Sequence, residues 1–128
     1  MTWEWIDKAV VLAIHAEQIK EHGGSTGLRD GALLESALAR PENLAAYGTP
    51  DVADLAASYA FGVAKDHPFV DGNKRTAAIL ARLFLMLNGH DIAVSEADVV
   101  VAFLALAAGD MSETELAAWL RENLRPLA

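Results

Sequence analysis

His67-Pro68-Phe69-Val70-Asp71-Gly72-Asn73-Lys74-Arg75-Thr76 runs directly into Ala77-Ala78-Ile79-Leu80-Ala81-Arg82-Leu83-Phe84-Leu85-Met86-Leu87-Asn88. The first half cannot be one continuous helix, because Pro68 biases His67 away from helical geometry and Gly72 permits a tight turn. The second half is apolar on every side, which predicts a helix from Asn73 to Asn88, ended by Gly89 and enclosed at the centre of the molecule. A loop that turns straight into a buried helix puts its own residues at a helix N-terminus. The backbone N–H groups there lack partners within the helix, and the macrodipole adds partial positive charge.

Outward from this stretch the apolar residues recur at three and four, seldom strictly at two, and alanine is abundant. The chain therefore reads as all-α, with no convincing sheet. A first helix is expected from about Trp3 to Glu21, with Ile6, Val10, Ala13 and Ile14 on one side and Gly23-Gly24 at its end. Asp30 caps a short helix carrying Leu33, Leu34 and Leu38, which Pro41 should stop, leaving 41–48 as a connector. Thr49-Pro50-Asp51 has the chemistry of a helix start, with a hydroxyl cap, a proline and an acid in the first turn, and that helix should reach Asp66. Ser95 caps another to about Ala108. Ser112 and Glu115 form a capping box for a last one that ends before Pro126. About six helices around a central one at 73–88 is the expected architecture.

At 128 residues, with no linker or repeat, residues 1–128 read as one domain, and 53% apolar residues suffice for a core without staples. There is no cysteine, which excludes a disulfide scaffold, a thiolate zinc site and a cysteine nucleophile, and fits a reducing cytoplasm. The first residues lack the pattern of a signal peptide, and the apolar run from Ala77 to Leu87 is too short to span a bilayer. The net charge of −8 repels phosphate backbones and anionic lipid, so direct nucleic-acid and membrane binding are not expected.

Against that acidic background the segment from Lys65 to Arg82 carries four basic and two acidic residues. Gly72, Asn73, Lys74 and Arg75 at a helix N-terminus make an anion site suited to a phosphate ligand. Asp71 can hold a magnesium ion that also binds phosphate oxygens. His67 is placed to take a proton from an attacking hydroxyl, while the cations offset the charge on the transferring group. Asn73 separates Gly72 from Lys74, so this is not a Walker loop, and no dinucleotide, nucleophile-elbow or zinc-protease motif occurs. Arg82 lies seven residues after Arg75 on nearly the same helix face. It is a supporting residue for the site or, slightly favoured, a partly buried arginine paired with a carboxylate. His15, His22 and His90 show no metal-ligand spacing and read as surface or satisfied core residues. Trp3, Trp5, Phe84 and Trp119 read as packing aromatics.

The stretch from His67 to Arg75 resembles the signature of the Fic/Doc superfamily, H-P-F-x-D/E-G-N-G-R-x-x-R in its nucleotidyl-transferring members. Lys74 stands where that pattern has its last glycine, and Ala78 where it has its last arginine. Both departures resemble the Doc branch, the toxins of Phd/Doc toxin–antitoxin pairs, as does the block from Gly27 to Pro41. The resemblance covers about residues 5–90.

What it implies is an all-helical fold that transfers part of ATP to a protein hydroxyl, with ATP as substrate and magnesium as cofactor. Fic proteins mostly move AMP, whereas Doc resembles them in fold but phosphorylates a threonine of elongation factor Tu and halts translation. The implied roles are His67 as general base, Asp71 as magnesium ligand, and Asn73, Lys74 and Arg75 as phosphate holders. By the same likeness the segment Asn43 to Pro50 would be a flap that aligns the target, while Arg29 and Asp30, read from the residues alone, either cap and pair locally or frame the mouth of the site. Many Fic proteins carry a self-blocking Ser/Thr-x-x-x-Glu-Gly/Asn helix; the nearest string here, Thr26 to Gly31, has Asp30 in place of the glutamate. Inhibition is therefore expected from a separate antitoxin whose C-terminal segment enters a groove as an amphipathic helix. Two alternatives stay open, an AMP transferase and a catalytically inactive binding module.

Overall fold

The computed structural model describes residues 2–127 as an all-α domain. In chain order the elements are α1 (Lys8–His22), α2 (Gly31–Tyr47), α3 (Val52–Asp66), α4 (Asn73–Leu87), β1 (His90–Ile92), α5 (Glu96–Ala108), α6 (Glu113–Glu122) and β2 (Leu124–Pro126). The two strands form a small antiparallel pair, Asp91 opposite Arg125, which corrects the expectation of no sheet. Three residues a side are too few for an alternating pattern to stand out in the sequence.

The core is built on two helices. The more enclosed is α3, with eleven of its fifteen residues buried, because its small residues Ala53, Ala56, Ala57, Ala60, Gly62 and Ala64 let neighbours approach on several sides. The expected centre, α4, buries Ala77, Leu80, Ala81, Phe84 and Leu85 but leaves Met86 and Leu87 exposed. Phe84 is fully buried, with the rings of Tyr59, Trp5 and Trp3 at 5.2, 5.7 and 6.1 Å. Those aromatics are core packing, as expected.

Three boundaries differ from the sequence reading, each for a local reason. Residues Trp3 to Ile6 are not helical, since Glu4 N–H donates to Asn88 and Ile6 N–H to the Tyr59 hydroxyl, and α1 starts only after Asp7. Its buried face is Val11, His15 and Ile19, while Val10 and Ala13 are exposed. Pro41 does not end α2, which continues to Tyr47. The carbonyl that Pro41 cannot bond is that of Ala37, and a methyl built on Gly62 of α3 would sit only 3.2 Å from this oxygen. The helices meet there backbone to backbone, and Pro41 itself is buried. At the start of α3 the cap is Asp51, not Thr49, in a reciprocal capping box with Asp54.

Candidate active site

Between α3 and α4 the chain reverses in six residues, and the reversal is held from outside. Leu28 pairs with Phe69, the Arg29 and Asp30 N–H groups donate to the Pro68 carbonyl, and Val70 N–H donates to the Gly27 carbonyl. The side chain of Asn73 clamps the loop from within. Its Oδ1 accepts from Phe69 N–H and its Nδ2 donates to the Phe69 carbonyl, both at 3.0 Å. The buried amide is thus engaged with the loop backbone. What it can still offer an anion is its main-chain N–H.

His67 is the residue on which α3 ends. Its φ of +48° is the sole positive value among the described non-glycine residues, a left-handed conformation that costs a side chain about 1–2 kcal/mol. The surroundings enforce it. Arg29 donates from Nε to the His67 carbonyl at 2.6 Å and from its guanidinium end to the Asp66 carbonyl at 2.7 Å. Pro68 follows directly, so helix cannot continue. The imidazole is left exposed at the rim of the turn. Arg29 itself does not line the pocket beyond; its work is to satisfy the last carbonyls of α3 and hold the histidine's backbone.

Gly72 opens α4 at φ +77° and leaves the helix without a side-chain cap. The first intrahelical bond is Thr76 N–H to the Gly72 carbonyl, so the N–H groups of Asn73, Lys74 and Arg75 have no partner from their own helix. They meet a pocket of about 320 Å³ lined by His67, Val70, Asp71, Gly72, Asn73, Lys74 and Arg75. All residues from the loop that the sequence singles out therefore share one cavity, with the Lys74 and Arg75 side chains exposed beside it. Asp71 Oδ1 accepts from Gly72 N–H at 2.8 Å, and its Oδ2 lies 3.4 Å from Ser25 N–H. Gly24 leaves room for that carboxylate, since a Cβ there would fall 2.6 Å from Oδ2.

Two expected members lie elsewhere. Arg82 is bonded to Asp91, Nε to Oδ1 at 3.0 Å, and to Glu96 at 2.5 Å, so it is the paired arginine and not part of the pocket. That guanidinium, ahead of the Ile92 N–H, holds the Asp91 carboxyl below the usual range. The expected flap is not a loop at the site. Residues 43–47 are the last turns of α2, joined to the start of α3, about 22 Å along that helix from His67.

One residue the sequence left without a role sits directly beneath the turn. His15 of α1 is buried, stacks on Phe69 with ring centres 3.8 Å apart, and lies 2.7 Å from the Asp71 carbonyl through Nε2. The signal for it was the run Val11, His15, Ile19 at intervals of four, a histidine on an otherwise apolar stripe.

A model of the Fic/DOC family matches residues 5–85, which include the whole turn and its pocket. The chain is 34% identical over 114 residues to the protein named Protein kinase doc of Escherichia phage P1, covering 87% of this chain and 88% of that one. It is 39% identical over 93 residues to the protein named Toxin Doc of Mycolicibacterium smegmatis, covering 70% of this chain and 68% of the relative.

Proposed function

The chain belongs to the Fic/DOC family, and from that premise we propose that it is the toxin of a toxin–antitoxin pair, a kinase that moves the γ-phosphate of ATP to a threonine of elongation factor Tu. The observation that carries this reading is the uncapped start of α4, where three free N–H groups, two cations, a carboxylate and an exposed imidazole border one pocket. Unpartnered N–H groups at a helix start that borders a cavity favour an anion with several oxygens, such as a triphosphate.

In this reading the N–H groups of Asn73 to Arg75, with the Lys74 and Arg75 side chains, hold the phosphates. His67 accepts the proton of the threonine hydroxyl as the new oxygen–phosphorus bond forms, and the bond from the γ-phosphorus to the bridging oxygen breaks to release ADP. Among the described residues no group of three carboxylate or histidine side chains could hold a metal by itself. A single exposed carboxylate at Asp71 fits magnesium, which takes one or two carboxylates and completes its shell with phosphate oxygens and water. Bound there, the ion would help neutralise charge on the phosphates. Lys74 replaces an open position in the anion cradle with a side chain and a charge. It supports seating the γ-phosphate, rather than the α-phosphate, before His67.

An acidic surface and an apolar stripe support the proposed partner. Val100, Val101 and Leu104 of α5 are 52%, 66% and 50% exposed. Residues 93–124 around them carry six acidic side chains and one basic. An antitoxin segment that folds as an amphipathic helix with basic edges suits such a face. The proposed place of action is the cytoplasm; among the described residues no helix is long and apolar enough to cross a membrane.

The test is to incubate the protein with elongation factor Tu and ATP labelled at either the α or the γ phosphate. Label from the γ position on a threonine is the expected result. Label from the α position would replace the kinase with an AMP transferase. No label, together with toxicity that survives His67→Ala, would leave a binding module.

A further inference from the structure

We propose that His15 is a positioning residue that fixes which way the 71–72 peptide faces in the anion turn. The proposal rests on the reading of this pocket as a phosphate site and adds a residue to it. A carbonyl oxygen only accepts, so the 2.7 Å contact requires that the His15 Nε2 carry the hydrogen and donate it to Asp71. The ring is held for this task by burial and by stacking. It is 5% exposed, and it lies parallel to Phe69, 7° between planes, in the same loop it supports.

The consequence follows from peptide geometry. All described peptide bonds are trans, so the Asp71 carbonyl and the Gly72 N–H point in opposite directions. With the carbonyl drawn inward to His15, Gly72 N–H is turned outward, where it bonds the Asp71 carboxylate on the pocket side. Glycine at position 72 accepts either orientation of that peptide at little cost. Flipped, the same peptide would aim a carbonyl dipole at the seat of the anion and turn its N–H away. A donor from α1 thus selects the orientation that keeps a carbonyl oxygen out of the anion seat, and it also fixes the direction of the Asp71 side chain one bond away.

Three forms of the full chain test this. His15→Phe keeps a flat ring against Phe69 and removes the donor; His15→Gln restores an N–H near the same place. Calorimetric titration with magnesium and ATP, and steady-state phosphate transfer, should give about ten- to a hundredfold weaker binding and a higher KM for His15→Phe, with kcat changed far less. His15→Gln should recover most of the affinity. Wild-type affinity in folded His15→Phe, or a folded His15→Gln no better than it, would overturn the proposal.

Two NMR readouts stand apart from any reaction. The wild-type His15 ring should show the tautomer with hydrogen on Nε2, and the Asp71 carbonyl carbon and Gly72 nitrogen should shift in His15→Phe and return toward wild type in His15→Gln. The opposite tautomer, or unmoved resonances, would defeat the proposal even if the wild-type protein turned out not to use ATP. Conversely, a wild-type chain that ignores ATP yet shows these shifts would sink the kinase reading and leave the peptide switch standing.

Discussion

The starts of α3 and α4 are the same structural problem solved in opposite ways. At α3, Asp51 and Asp54 cap each other's backbone, and Arg121 bonds both carboxylates, Nε to Asp51 at 2.6 Å and its terminal nitrogen to Asp54 at 2.9 Å. The side-chain cap of this helix end comes from the protein itself. At α4, Gly72 supplies no side chain, the free N–H groups face a pocket, and the local charge is positive without an acidic partner beyond Asp71. A closed start adds stability; an open one keeps its hydrogen-bonding capacity for something else. The difference separates a side-chain-capped helix end from an open one bordering a pocket.

The largest break in this comparison should come from His67→Ala. Loss of a general base lowers phosphate transfer by about 10²- to 10⁴-fold. Because the imidazole is exposed, the melting temperature should stay within a few degrees, and a large drop in it would instead make His67 a structural residue. Gly72→Ala strains the open start: a Cβ is disfavoured at φ +77° and would meet Ile19 Cδ1 at 3.2 Å. Chemical denaturation should report about 1–2 kcal/mol lost, with nucleotide affinity falling as well. The matching change at the closed start, Asp51→Ala, should cost about 1–2 kcal/mol by the same measurement through the lost cap and ion pair, and leave nucleotide affinity untouched.

Acid sharpens the contrast further and gives the smallest effect. The bond from Arg121, offset in part by burial, holds the Asp51 carboxyl at about 2, below its ordinary value of 3.8. A folded-state value below the unfolded one stabilises the protein above about pH 4. That contribution should fade as the pH falls toward 2, seen as a decline in melting temperature that Asp51→Asn flattens. Equal acid sensitivity in the two proteins would assign the decline to other carboxylates.

These two ends were not equally legible in the sequence. The open start was readable because its signals are local: Pro68 forbids helix, Gly72 permits the turn, and the cations follow at once. All of His67, Asp71, Gly72, Lys74 and Arg75 border the pocket as the sequence placed them. The closed start was read one step off, with Thr49 as cap, because Thr, Pro and Asp in succession each fit a helix start and only packing against Arg121 of α6 chooses among them. Longer-range partners were out of reach for the same reason. Nothing near Arg29 announces the end of α3, and His15 gains its meaning from a turn 56 residues away. Pro41 misled because α2 runs on through it, in a stretch packed close against Gly62 of α3.

The central claim is that the uncapped end of α4 seats a phosphate chain while the capped end of α3 does not. An amide-resolved NMR titration of the full chain with magnesium and ATP reads both ends at once. The account predicts saturable shifts that peak at Gly72 to Thr76 and at His67, with Asp51 to Leu55 unmoved. Saturable shifts centred anywhere else, or none at millimolar nucleotide, would contradict it.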